Sequence, residues 1–131
     1  MVVADSSAWV EYLRKTESRA CLAVRALIET SDLLRTTEVV VMEVLAGTGN
    51  EREYSDTSRL LARFELLPVE GLGDFLEAVA LYRACRRGGE TIRKMNDCLI
   101  AAVAIRTGAQ VLHQDRDFEA LARHSALRIY P

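Results

Sequence analysis

Apolar residues along this chain fall into two kinds of block, with polar turns between them. Short blocks predict strands at "VVA" (2–4), "DLLRTT" (32–37), "QVLH" (110–113) and "LRIY" (127–130). Longer blocks carry helical spacing. In "AWVEYLRKT" (8–16) Trp9 and Leu13 lie four apart, flanked by Val10 and Tyr12. "RACLAVRALIET" (19–30) continues as a second amphipathic helix, and "DFLEAVALYRACRR" (74–87) as another, closed by Gly88–Gly89. After a polar loop, "TSRLLARFELL" (57–67) reads as a helix and then a short strand, ended by Pro68. "EVVVMEVLAG" (38–47) is ambiguous, because its valines favour a strand while Gly47 suits a helix C-terminus. "RKMNDCLIAAVAI" (93–105) stands apart. Nothing from Cys98 to Ile105 is polar, so the segment predicts an element buried on all sides, with Asp97 at its entrance. A turn at "RTGA" and a loop and helix in "QDRDFEALARH" complete the chain.

Strand–helix alternation without repeat or linker predicts one α/β domain over residues 1–131, a mostly parallel central sheet flanked by helices. In such sheets ligands bind beyond the carboxyl ends of the strands. Asp5 directly follows "VVA" and Asp115 closely follows "QVLH", so parallel strands deliver both carboxylates to one edge.

Composition narrows the class. Half of the 131 residues are hydrophobic and about a quarter charged, which fits one domain with a substantial core. The first residues lack the basic and apolar regions of an export signal. "CLIAAVAI" is far shorter than the roughly 20 residues that span a bilayer. Cys21, Cys85 and Cys98 have no metal-type spacing and read as reduced thiols. A cytoplasmic protein with no membrane partner is expected. The net charge of −2 supplies no global attraction to nucleic acid, so any phosphate contact must be local. The densest basic stretch contains Arg83, Arg86, Arg87, Arg93 and Lys94, which reads on its own as a solvated helix end.

Four acids stand out. Asp5, Asp97 and Asp115 occupy places where helix caps occur, and a cap accounts for each taken singly. Asn96 is an alternative cap beside Asp97. Glu43 interrupts an apolar run, so its carboxylate is partly buried and calls for a basic partner or a cation. If all four converge, six like-charge pairs at about 5 Å repel by on the order of 20 kcal/mol in total. A folding margin of about 5–15 kcal/mol does not carry that unaided. An all-carboxylate site without a His or Cys cluster points to Mg²⁺ or Mn²⁺ rather than zinc. Such a site suits phosphodiester hydrolysis. No G-x-S-x-G elbow, P-loop or H-E-x-x-H is present, and His113 and His124 read as ordinary histidines.

With "ADSSAWVEYL", the glutamate in "VVVMEVLAG", "NDCLIAAVAI" and "VLHQDRDFEAL" in this order, the chain resembles the PIN-domain ribonucleases, particularly the VapC-type toxins of toxin–antitoxin pairs. The resemblance covers essentially the whole length. It implies that Asp5, Glu43, Asp97 and Asp115 are acidic metal-site positions and that Ser7 helps to position the site. It implies that Asp117 is a second acid of the closing motif, with variable participation, and that the Glu43 segment is a helix. One position departs: many relatives carry Ser or Thr two residues before the fourth acid, where this chain has His113. The resemblance further implies an endoribonuclease acting on tRNA or ribosomal RNA, a cognate antitoxin, and homodimers or larger assemblies. Arg86, Arg87, Arg93 and Lys94 then gain weight as RNA-backbone contacts. The early helices with Trp9, Tyr12 and Leu13 offer docking surface, although core packing is the stronger reading for Trp9 and Leu13.

Two other classes share part of the pattern. A catalytically silent binding module is expected to have lost one of the acids. An aspartyl-phosphate phosphoryl-transfer domain needs a D-x-D-x-T run or a lysine ending a late strand, and neither "DSSA" nor "LRIY" supplies one.

Overall fold

The computed structural model describes residues 1–131. In chain order the elements are β1 (Val2–Ala4), α1 (Ser6–Leu13), α2 (Arg19–Thr30), β2 (Leu34–Thr36), α3 (Glu38–Ala46), α4 (Glu51–Leu61) and β3 (Glu65–Leu66). Then follow α5 (Gly71–Arg87), α6 (Met95–Thr107), β4 (Gln110–Leu112), α7 (Arg116–Arg123) and β5 (Arg128–Ile129). The five strands pair in the order β3-β2-β1-β4-β5, all parallel, as the alternation predicts. No helix is long and apolar enough to cross a membrane.

β1 is central, and every residue of it is buried, as expected for a parallel strand covered on both faces. The chain runs outward from β1 through β2 to β3 on one side, then returns to place β4 and β5 on the other. The strand order therefore reverses between β1 and β4. A cleft opens at such a switch point beyond the carboxyl ends of the strands. The register Ala4↔Leu112 puts Asp5 and His113 side by side at that edge.

α6 is the spine of the core. Asp97 through Ala104 are all buried, and the helix packs on α5, α3, α7 and β4. Gly108 ends it in the left-handed conformation (φ 76°), returning N–H groups to Ala104 and Ile105. Only glycine takes this turn without strain, which explains the "RTGA" break. Trp9 and Phe118, both fully buried, each stabilise the fold by about 2–3 kcal/mol.

The structure decides two open readings of the sequence and changes a third. The ambiguous 38–47 segment is a helix, α3, in accord with the resemblance. Its Val39, Val40 and Val44 are buried, so tertiary packing overrides the strand preference of valine. α4 begins at Glu51, inside the expected polar loop. The Asn50 side chain accepts from the Glu53 N–H (2.8 Å), and the Glu53 carboxylate reaches back to the Gly49 N–H (3.0 Å). Such reciprocal capping starts a helix in a polar stretch. Trp9 is core, as the stronger of its two readings has it: its ring is wholly buried against Tyr12 and Phe64. The three cysteine thiols are free and buried.

Candidate active site

Asp5 leaves β1 and begins α1. Its Oδ1 accepts the Ala8 N–H (3.1 Å) and the Ser7 hydroxyl (2.7 Å). The cap reading is therefore correct for Asp5 but incomplete, since its carboxylate also lines the cleft with Asp97 and Asp115. Burial pushes its carboxyl up to about 6, against the lowering effect of Ser7. Ser7 also accepts the Gln114 N–H (2.8 Å), tying the end of β1 to the loop after β4.

Asp115 repeats the arrangement on α7. Its Oδ1 accepts the Asp117 N–H (3.0 Å), so it too caps a helix while facing the cleft.

Asp97 behaves differently. α6 takes Lys94 as its N-cap, and neither Asn96 nor Asp97 caps it. Asp97 sits in the first turn, only 2% exposed, and its Oδ2 is buried with no hydrogen-bond partner. Burial first, then the charges of Asp115, Asp5 and Glu43, push its carboxyl up to about 7. An orphaned buried carboxylate oxygen among other acids costs free energy unless a cation completes it.

Glu43 on α3 is half-buried, and its Oε1 accepts the Ser6 hydroxyl (3.2 Å). It stands close enough to raise the pKa of Asp97. Asp97, Asp115 and Asp117 each offer a carboxylate oxygen, and these oxygens lie within 4.8 Å of one another. The donor set is all oxygen, which fits a hard divalent ion. Asp97 and Asp115 could hold such an ion, Asp5 faces the same cleft, and Asp117 lies beside them with its Oδ2 bonded to Arg93.

The basic stretch divides. Lys94 is exposed and lines the cleft mouth. Arg93 is an internal counter-ion, with Nη2 on Asp115 (2.7 Å) and Nε on Asp117 (3.0 Å). Arg86 and Arg87, exposed on the last turn of α5, do not line the cleft. His113 fills the place of the expected hydroxyl residue. Its Nδ1 accepts the Asp115 N–H (3.0 Å), so the ring proton resides on Nε2 and is donated to Glu119 (3.1 Å). The departure at His113 already pointed to a supporting role there, whereas sequence reasoning missed Ser6. For Ser6, chain neighbourhood to Asp5 was the only available signal.

The PIN-domain family model matches residues 2–124. Ribonuclease VapC11 of Mycobacterium tuberculosis is 43% identical over 129 residues, covering 98% of this chain and 96% of that protein. Ribonuclease VapC51 of the same species is 31% identical over 76% of this chain and 72% of its own length. Among solved structures, VapBC2 from Rickettsia felis bound to a promoter DNA fragment superposes with a TM-score of 0.77 at 19% identity, covering 99% and 98% of the two chains. VapC20 of M. tuberculosis, described as a sarcin–ricin loop cleaving toxin, gives 0.67 at 20% identity over 98% and 99%. Those two likenesses concern the fold, while the sequence matches carry the family. The chain belongs to the PIN-domain family, within its VapC ribonucleases.

Proposed function

We propose that Asp5, Glu43, Asp97 and Asp115 hold Mg²⁺, with Mn²⁺ as a substitute, and that the chain hydrolyses phosphodiester bonds in RNA as the toxin of a toxin–antitoxin pair. The observation that carries this reading is the unpartnered Asp97 Oδ2, buried among acids at the switch point of the sheet. When bound, the cation supplies Lewis acidity at the scissile phosphate and activation of water for attack. The protein supplies the frame. Ser7 and the Ala8 N–H fix the Asp5 carboxylate at the wall of the cleft. The Asp117 N–H does the same for Asp115. The rigid apolar run of α6 keeps Asp97 aimed and excludes bulk water behind it. Ser6 orients Glu43.

The substrate class is structured RNA of translation, tRNA or ribosomal RNA, in line with the sarcin–ricin loop activity stated for the structural relative. Lys94 lines the approach, and Arg93 beside Asp115, with Arg86 and Arg87 outside the cleft, contributes backbone contacts. Toxin–antitoxin complexes among proteins of this fold support a cognate antitoxin. In our reading it silences the site, in a cytoplasmic assembly built on a homodimer. The test is cleavage of pooled tRNA and ribosomal RNA by purified, antitoxin-free protein with Mn²⁺. Cleavage is expected to stop with excess EDTA and with Asp97→Asn. Full activity in either condition overturns the reading.

A further inference from the structure

Arg93 is joined to the acidic cluster more tightly than a surface arginine needs to be. Its backbone N–H and its Nε both donate to Asp117 Oδ2, at 3.1 and 3.0 Å. Its Nη2 donates to Asp115 Oδ1 at 2.7 Å. Two donors from one residue on one oxygen fix both the chain and the side chain of Arg93. The guanidinium is thereby held in one plane instead of sweeping through solvent. Asp117 is only 5% exposed, and its Oδ2 is fully engaged in holding Arg93.

A guanidinium carries five N–H donors. Nε and Nη2 meet the two aspartates, whereas Nη1 has no protein partner and the side chain is 55% exposed. An open edge of the fork therefore stands beside Asp115, whose ligand oxygen lies within 4.8 Å of that of Asp97. A rigid fork with free donors next to a cation site meets the geometric needs of two-point phosphate recognition. Arg86 offers a contrast. It lies over the Tyr82 ring (5.9 Å) and meets no acid, so nothing fixes its donors on one point.

We propose that Arg93 grips the scissile phosphate of the RNA and that Asp117 is its positioning residue, not a metal ligand. The assignment rests on the nuclease reading above. The acids then have separate roles. Asp5, Glu43, Asp97 and Asp115 face the cation, and Asp117 holds the arginine beside it. Arg93→Lys keeps the charge but loses the fork.

The test uses the full chain with three readouts: Mn²⁺ calorimetry, pooled-tRNA binding in EDTA, and cleavage kinetics. Arg93→Ala is expected to weaken tRNA binding about tenfold and to lower kcat about a hundredfold, with Mn²⁺ affinity kept. Added guanidinium ion restores part of that kcat, a response that a merely structural arginine does not give. Arg93→Lys, the milder variant, recovers binding better than kcat. Asp117→Asn keeps Mn²⁺ affinity, lowers kcat, and adds nothing further to Arg93→Ala. The proposal is overturned if Asp117→Asn loses Mn²⁺ as Asp97→Asn does, or if Arg93→Ala binds and cuts like wild type. Failure of the metal reading appears separately, as Mn²⁺ binding unaffected by Asp97→Asn. The metal-free tRNA binding then still decides Arg93.

Discussion

The Ser7 hydroxyl donates to Asp5 Oδ1 at 2.7 Å, which makes the small residue two positions after the first aspartate part of the site's electrostatics. That bond lowers the Asp5 pKa against the larger upward effect of burial. Ser7 also accepts from the Gln114 N–H, so one hydroxyl joins the ends of two strands. Ser7→Ala is expected to raise the Asp5 pKa above about 6 and leave the Gln114 N–H unsatisfied. Mn²⁺ affinity at neutral pH and the rate of RNA cleavage should each fall about tenfold, with stability lower by about 1–2 kcal/mol. Calorimetry and thermal melts check both. Unchanged Mn²⁺ affinity would mean that Ser7 only stabilises the turn.

The two raised aspartates give the metal-free protein a defined pH response. Folded-state values of about 6 for Asp5 and about 7 for Asp97 lie above the unfolded value of about 3.9. A raised pKa contributes stability that is full below the unfolded value and is lost as pH rises through the folded one. The melting temperature without metal should therefore fall between about pH 4 and pH 7. Mn²⁺ binds the ionised forms, so it should raise the melting temperature at pH 8 and do little at pH 5. Equal Mn²⁺ stabilisation at both pH values would contradict the assignment of Asp5 and Asp97.

What could be read in advance divides along physical lines. Strand ends and the acids that follow them are local features, so Asp5 and Asp115 could be placed from alternation alone. The inward aim of Asp97 was also legible, because no solvated helix tolerates the apolar run behind it. α3 was not legible from propensity, since three buried valines are tolerated in a helix once neighbours cover them. The α4 start was missed although Asn50 and Glu53 stand three apart in the sequence, the spacing of reciprocal caps. The Arg93–Asp117 pair lies 24 residues apart and exists only once α7 docks beside α6. No local pattern encodes it.

Asp97→Asn should separate function from stability. The charged form of Asp97 is disfavoured by burial and by three neighbouring acids. An amide removes the charge and can donate into the same acidic surroundings. Without metal at pH 8 the variant should be more stable than wild type by about 1–3 kcal/mol, while RNA cleavage is lost. Denaturant melts decide this, and a destabilised variant would show that Asp97 supports the fold by ordinary packing. The gain should disappear below about pH 4, where wild-type Asp97 is neutral as well.

Arg106 offers a control remote from the chemistry. Its guanidinium makes hydrogen bonds to Asp74 (3.0 Å) and to the Pro68 carbonyl (2.6 Å), joining the start of α5 to the end of α6. Asp74 is 5% exposed, and Arg106 is the main reason that its pKa is depressed. Arg106→Ala leaves a buried carboxylate with the Glu70 N–H as its remaining donor and should cost about 3 kcal/mol at pH 7. A depressed pKa contributes stability above the unfolded value, so the loss should shrink as pH falls below about 3.9. Arg106 lies about 14 Å along α6 from Asp97. kcat should therefore be unchanged at temperatures where the variant is folded, and a large fall in kcat would show that α6 transmits strain to the site.

His113 can be tested by two substitutions that separate its space from its chemistry. The ring is 4% exposed, tilts against Phe118 at 5.5 Å, and accepts the Asp115 N–H through Nδ1. A serine hydroxyl can accept the same N–H from two residues away, as in a serine turn. His113→Ser should therefore cut RNA within a few-fold of wild type while losing about 2 kcal/mol of stability to the vacated ring space. His113→Leu fills the space but accepts nothing, so the Asp115 N–H is orphaned and the carboxylate loses its fixed backbone. Cleavage should then drop about tenfold or more with a smaller loss of stability. kcat/KM on pooled tRNA and thermal melts give the two readouts. The reverse order, with Leu active and Ser inactive, would make His113 a packing residue alone. The expected order makes it the stand-in, in this chain, for the hydroxyl that the family resemblance leads one to expect at this place.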